Sequence, residues 1–158
     1  MRIAIGADHA GYDLKSHLVS ILTGLDHTVI DLGTDGTTSV DYPGYCAAVG
    51  RAVARGDAER GIVLGGSGQG EQIAANKVAG VRAVTAHDSY SVERSVKSND
   101  AQVLTLGQRV IGLELARKLV GEWLDHRFDP SSPSAAKVEA ICGYDGSLAE
   151  EPAPGGCG

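Results

Sequence analysis

Five short apolar runs alternate with longer stretches of helical period, and no other feature limits the fold as strongly. The runs are RIAIGA (2–7), TVIDLG (28–33), GIVLGG (61–66), VRAVTA (81–86) and AQVLTLG (101–107). Near-continuous apolar runs of this length suit strands covered on both faces, and strands separated by helices return in the same direction. The pattern predicts an α/β chain: a Rossmann-like three-layer sandwich around a five-stranded parallel sheet. The segments between the runs agree. Residues 12–22 carry Leu14, Leu18, Ile21 and Leu22 at helical spacing, and residues 111–124 carry Leu115, Leu119, Val120 and Trp123. Pro43 is preorganised for the first turn of a helix ending near Gly56; residues 89–99 predict another helix, and a last one starts at about Ser134.

The 158 residues suffice for one core. Residues 1–143 are expected to form it. From about Tyr144 the sequence DGSLAEEPAPGGCG offers little to bury, so residues 144–158 are expected to be a disordered tail with Cys157 exposed. A net charge of -6 argues against a general nucleic-acid binder. No apolar run reaches the roughly 18 residues of a membrane span, and no signal-peptide pattern follows Met1, so a cytoplasmic protein without membrane contact is expected. Three cysteines without C-x-x-C spacing suggest neither a disulfide framework nor a zinc site; Cys46 and Cys142 are expected to be ordinary buried small residues.

In a parallel sheet, ligands gather beyond the carboxyl ends of the strands, so the loops near 7–11, 33–43, 65–71, 86–90 and 107–109 are expected to share one rim. There the stretch GGSGQGEQIAANK (65–77) places glycines and Glu71 between a strand and a helix. Bare backbone N–H groups opening a helix make Gly66, Ser67, Gly68, Gln69 and Gly70 a candidate anion cradle. The loop alone also reads as a tight turn with Glu71 as a favourable charge in the first helical turn. It is neither a Walker A sequence nor a G-x-G-x-x-G fingerprint, although Asp88 after the fourth run leaves a nucleotide reading open. The neighbours add more. Asp8, His9, Tyr42, Asn99 and Arg109 are expected at the same rim, where they would supply polar contacts and a cation for phosphate. Separately, Asp8 could serve only to cap the following helix, His9 could be structural and Tyr42 could simply pack. Together with a carboxylate base and a backbone anion hole, they are the parts needed to isomerise a phosphorylated sugar through an enediolate.

The stretches ADHAG, DYP, GGSGQGEQIAANKVAGVRA and SNDAQVLTLGQRV resemble the type B ribose-5-phosphate isomerases and the related galactose-6-phosphate isomerase subunits, in the family's order, from Met1 to about Ile141. The resemblance implies a metal-independent aldose-ketose isomerase needing no cofactor. It further implies a homodimer, or a tetramer built from it, with active sites shared between chains. Many members place a Cys base at the position of Gly65; another branch has Gly there and Glu at the position of Glu71, as here. By that resemblance Glu71 is the base, the amides of Gly66 to Gly70 with Ser67 stabilise the enediolate, and Asp8, His9 and Tyr42 contact the sugar. Asn99 would reach the site from the partner chain, and Arg109 would hold phosphate.

Two departures stand out. The family's usual His-Asn is Ser98-Asn99 here, and the histidine is the group assigned to opening a furanose ring. An Arg-His-x-x-Arg pattern that grips phosphate corresponds to Pro133–Lys137, where only Lys137 keeps a charge. A tetrose 4-phosphate has its C4 oxygen esterified and cannot close to a furanose, so it needs no ring-opening acid. Residues 86–119 are also similar to the erythrulose-4-phosphate isomerases. These features favour D-erythrulose 4-phosphate and D-erythrose 4-phosphate as the substrate pair, with D-ribose 5-phosphate and D-ribulose 5-phosphate as the alternative. A non-catalytic sugar-phosphate sensor on the same fold is the alternative of another class.

Overall fold

The computed structural model describes residues 1–145; the tail expected over 146–158, with Cys157, lies outside them. The chain runs β1 (Arg2–Ala7), α1 (Tyr12–Gly24), β2 (Thr28–Asp31), α2 (Tyr42–Ala54), β3 (Arg60–Gly65), α3 (Gln69–Ala75), β4 (Ala83–Thr85), α4 (Ser89–Lys97), β5 (Val103–Gly107), α5 (Leu113–Asp125) and α6 (Ala135–Cys142). All strand pairs are parallel, in the order β2-β1-β3-β5-β4.

Strand alternation divides the core in two. Ile3, Ile5, Ile62, Leu64, Leu104 and Leu106 point to one face, where Leu14, Leu18 and Leu22 of α1, Val92 and Val96 of α4, and Leu119 and Trp123 of α5 cover them. Ala4, Val63 and Val103 point to the other face, against Cys46 and Val49 of α2 and Ala75 of α3. Both faces are therefore dry, which is why the central strands read as apolar runs without alternation.

The route of the chain fixes where a ligand can sit. From β1 the chain passes to β2 on one side, and from β2 it crosses back to β3 on the other. The strand order thus reverses between β1 and β3, and the connections at their carboxyl ends part.

Four expectations change. The run at 81–86 shortens to three strand residues in β4, an edge strand paired, among the described residues, with β5 alone. Leu115 is exposed, and Ala116 takes the inward position in α5. Cys142 is exposed, with its Sγ 3.2 Å from the Arg82 Nη1. Tyr144 and Asp145 continue the turn after α6 instead of opening a tail: Tyr144 N–H donates to the Ile141 carbonyl, and Asp145 Oδ2 accepts from Gly80 N–H at 2.7 Å.

Candidate active site

At the β1/β3 fork lies an open cleft of about 450 Å³ lined by Asp8, His9, Ala10, Tyr42, Gly66, Ser67, Gly70, Glu71 and Arg109. Three strand ends and the start of α2 build it.

From β1, the Asp8 Oδ1 accepts the Ala10 and Gly11 N–H groups at 3.0 and 3.1 Å. Asp8 is buried and shapes the turn into α1; it does not cap that helix, whose N-cap is Gly11 without a side-chain bond. His9 Nδ1 accepts from Val40 N–H at 3.2 Å, so in the neutral ring Nε2 carries the proton. With Nδ1 engaged in this way, the 3.8 Å approach of Asp8 Oδ2 is electrostatic and not a hydrogen bond. Tyr42, the first residue of α2, packs its hydroxyl on Gly70, where an added Cβ would stand 2.7 Å from it.

After β3 the chain turns through Gly66 and Ser67 into Gly68, whose φ of 83° is left-handed. Gly68 is the N-cap of α3, and Glu71 in the first turn folds back over Gly65. An added Cβ on Gly65 would fall onto the Glu71 carboxylate. That close approach is what requires glycine at 65.

Glu71 is only 5% exposed. Burial raises its carboxyl above the ordinary range and the charge of Asp8 adds to the rise, while hydrogen bonds from the Glu71 and Gly68 N–H groups oppose it. A raised value makes the carboxylate a stronger base once ionised. Beneath the cleft, Cys46 donates its Sγ–H to the Tyr42 carbonyl at 3.1 Å. Burial, then Glu71 and Asp8, push this thiol up to about 12, so it stays protonated.

From β5, the Gln108 and Arg109 N–H groups donate to the Gly65 and Gly66 carbonyls at 2.8 and 3.1 Å. These bonds tie the turn after β5 to the cradle and lay the Arg109 guanidinium over Gly66.

The remaining site candidates do not line the cleft. Gly68 is buried within the cradle turn, and Gln69 is exposed with its N–H 3.3 Å from Ser67 Oγ. Asn99 is not at this rim. It precedes β5, at the opposite end of the sheet, where its carbonyl accepts from Arg82 Nε at 3.0 Å and it lines a separate groove with Asn76, Arg82, Ile141 and Tyr144. Lys137 is on α6 and does not line the cleft. Asp88 caps α4 by accepting from the Ser91 N–H and hydroxyl at 2.8 and 2.7 Å, which removes the reason for a nucleotide reading. His87 accepts from Gly107 N–H through Nε2 at 2.9 Å, a role that no local pattern announces.

The profile of the family described as Ribose/Galactose Isomerase matches residues 3–141. D-erythrulose-4-phosphate isomerase 2 of Mycolicibacterium smegmatis is 53% identical over 150 residues, 93% of this chain and 99% of that protein. D-erythrulose-4-phosphate isomerase of Pectobacterium atrosepticum is 46% identical, over 92% of this chain and 95% of its own. The solved structure of Clostridium thermocellum ribose-5-phosphate isomerase B superposes with a TM-score of 0.91 at 43% identity, covering 94% of this chain and 99% of that one. With agreement in sequence and fold along nearly its whole described length, the chain belongs to the ribose/galactose isomerase family.

Proposed function

We propose that this chain interconverts D-erythrulose 4-phosphate and D-erythrose 4-phosphate, with Glu71 as the base. The observation that carries the role of Glu71 is its carboxylate, buried over Gly65 at the mouth of a backbone anion cradle. In this reading Glu71 removes the C–H proton beside the carbonyl and the electron pair enters the C1–C2 bond. The oxyanion that forms is held by N–H groups of Gly66 to Gly70, with Ser67 assisting. Glu71 returns the proton to the neighbouring carbon while a hydroxyl proton moves between O1 and O2. Asp8, His9 and Tyr42 contact the sugar hydroxyls, and Arg109 holds the phosphate.

The tetrose is favoured by the two erythrulose-4-phosphate relatives at 53% and 46% identity and by Ser98. An esterified C4 oxygen leaves no furanose to open. Asn99 reaches the site from the partner subunit of a homodimer in this proposal, since its own cleft lies at the other end of the sheet.

The test is kcat/KM for D-erythrose 4-phosphate and D-ribose 5-phosphate side by side, with Glu71→Gln as the control. The proposal expects a preference for the tetrose and a fall of roughly 10²-fold or more in the variant, the size of a general-base contribution. A preference for the pentose would replace the substrate assignment, and a loss of only a few-fold would remove Glu71 from its role.

A further inference from the structure

Beneath the cradle two hydroxyls converge on one carbonyl. Thr85 of β4 and Thr105 of β5 are direct partners across the parallel ladder, and their Oγ1 atoms lie 2.6 Å apart. They also lie 3.0 and 2.9 Å from the Gly68 carbonyl, which in addition accepts the Gln72 N–H at 3.0 Å as the first bond of α3. Thr105 Oγ1 also lies 3.4 Å from the Val84 carbonyl, but the shorter contacts favour at least one hydroxyl donating to the Gly68 carbonyl and the other to it or to its twin. Thr105 is fully buried. A threonine at this depth would be costly without such partners.

The carbonyl they hold belongs to the residue with left-handed backbone at the centre of the cradle. In a trans peptide the C=O and the following N–H point in opposite directions. Drawing the Gly68 carbonyl down onto the sheet turns the Gln69 N–H the other way, toward Ser67 Oγ at the cleft. Gly68 is also the N-cap of α3, and Glu71 sits in the first turn of that helix. One glycine thus joins the hydroxyl pair below to the anion cradle and the carboxylate above.

We infer that Thr85 and Thr105 are positioning residues: a hydroxyl clamp that fixes the Gly68–Gln69 peptide, and through it the cradle amides and the Glu71 carboxylate, in the orientation that proton transfer uses. The inference rests on the proposed isomerase reading. Neither threonine lines the cleft, so the clamp acts through backbone alone.

The test uses Thr85→Val, Thr105→Val, the double variant and Thr105→Ser, in the full chain. Valine keeps the shape and removes the hydroxyl; serine keeps the hydroxyl. Steady-state kinetics on D-erythrose 4-phosphate and D-ribose 5-phosphate are read beside amide hydrogen exchange at Gly68, Gln69 and Gly70. The clamp predicts that kcat falls about 10-fold in each valine variant, with KM within about three-fold, because geometry and not binding is lost. Exchange at these amides quickens by roughly 10-fold as the peptide is freed, and Thr105→Ser restores both readouts. A double variant with wild-type kcat and wild-type exchange overturns the clamp. So does a loss of kcat without faster exchange, since the hydroxyls then act elsewhere. Glu71→Gln in the same series separates the two claims: if it turns over normally the base assignment fails, and exchange alone then decides the clamp.

Discussion

The carboxylate of Glu71 occupies the space that the β-carbon of any residue at position 65 would need, so Gly65 and Glu71 form one unit. Even a methyl group at 65 must swing the carboxylate out of place. Gly65→Ala is therefore expected to lower kcat by about 10²-fold, as much as deleting the proposed base, while the melting temperature moves little because the cleft is open enough for the displaced side chain. Steady-state kinetics with a thermal melt checks both. Normal turnover would show that another placement of Glu71 serves equally well.

The raised pKa of Glu71 has a sign for stability as well as for rate. Its folded value lies above the unfolded one, so its contribution is fully present below the unfolded pKa and is lost as pH rises through the folded value. Once ionised, Glu71 opposes folding. Glu71→Gln should melt higher than wild type at pH 7, with the gap closing toward pH 4. The acidic limb of the kcat/KM profile should lie above the ordinary carboxylate range.

His87 titrates in the opposite sense. Burial lowers its pKa, and only its neutral form can accept the Gly107 N–H. Its stabilising contribution is present above the unfolded value of roughly 6.5 and is lost as pH falls from there through the depressed folded value. Thermal melts between pH 5 and 8 should show this loss in wild type and a flatter profile in His87→Gln, which keeps an acceptor without titrating. His87→Ala should cost about 1–3 kcal/mol at pH 8, the usual effect of orphaning a shielded N–H.

Lys15 is buried at 3% exposure, with Nζ 2.6 and 2.8 Å from the Asp31 carboxylate oxygens and 2.7 Å from the Thr34 carbonyl. Asp31 is partly solvated, which moderates the pair. Asp31→Asn should destabilise by roughly 1–3 kcal/mol in urea unfolding, since it leaves the ammonium with weaker partners. Lys15→Met should cost less than Asp31→Ala.

The proposed sharing of active sites between subunits predicts complementation. Glu71→Gln and Asn99→Ala, each nearly inactive alone, should regain about a quarter of wild-type activity when mixed under subunit-exchange conditions. Half of the dimers are then hybrids with one intact site. No recovery would place Asn99 outside the site.

Much of this was readable in the sequence because periodicity carries it. Ile3, Val63 and Leu104 announce buried strands, and parallel strands send the connections after β1, β3 and β5 to one rim. That logic brought Asp8, His9, Ser67, Glu71 and Arg109 together. It misplaced Asn99, which precedes its strand and so belongs to the other end of the sheet. Leu115 fell on a helical period shared by Ala116, and only packing distinguishes them. The contact of Glu71 with Gly65 and the meeting of Thr85 with Thr105 depend on side-chain rotamers and strand register, which no local pattern encodes.

The fork between β1 and β3 divides the cleft by material. Its floor is the turn from β3 into α3, with Gly66, Ser67, Gly70 and Glu71, whereas its walls are side chains on separate connections: Asp8 and His9, Tyr42, Arg109. A lineage can exchange walls one loop at a time while the floor is inherited with the sheet. Choice of sugar can therefore drift between descendants without the proton-transfer machinery being rebuilt.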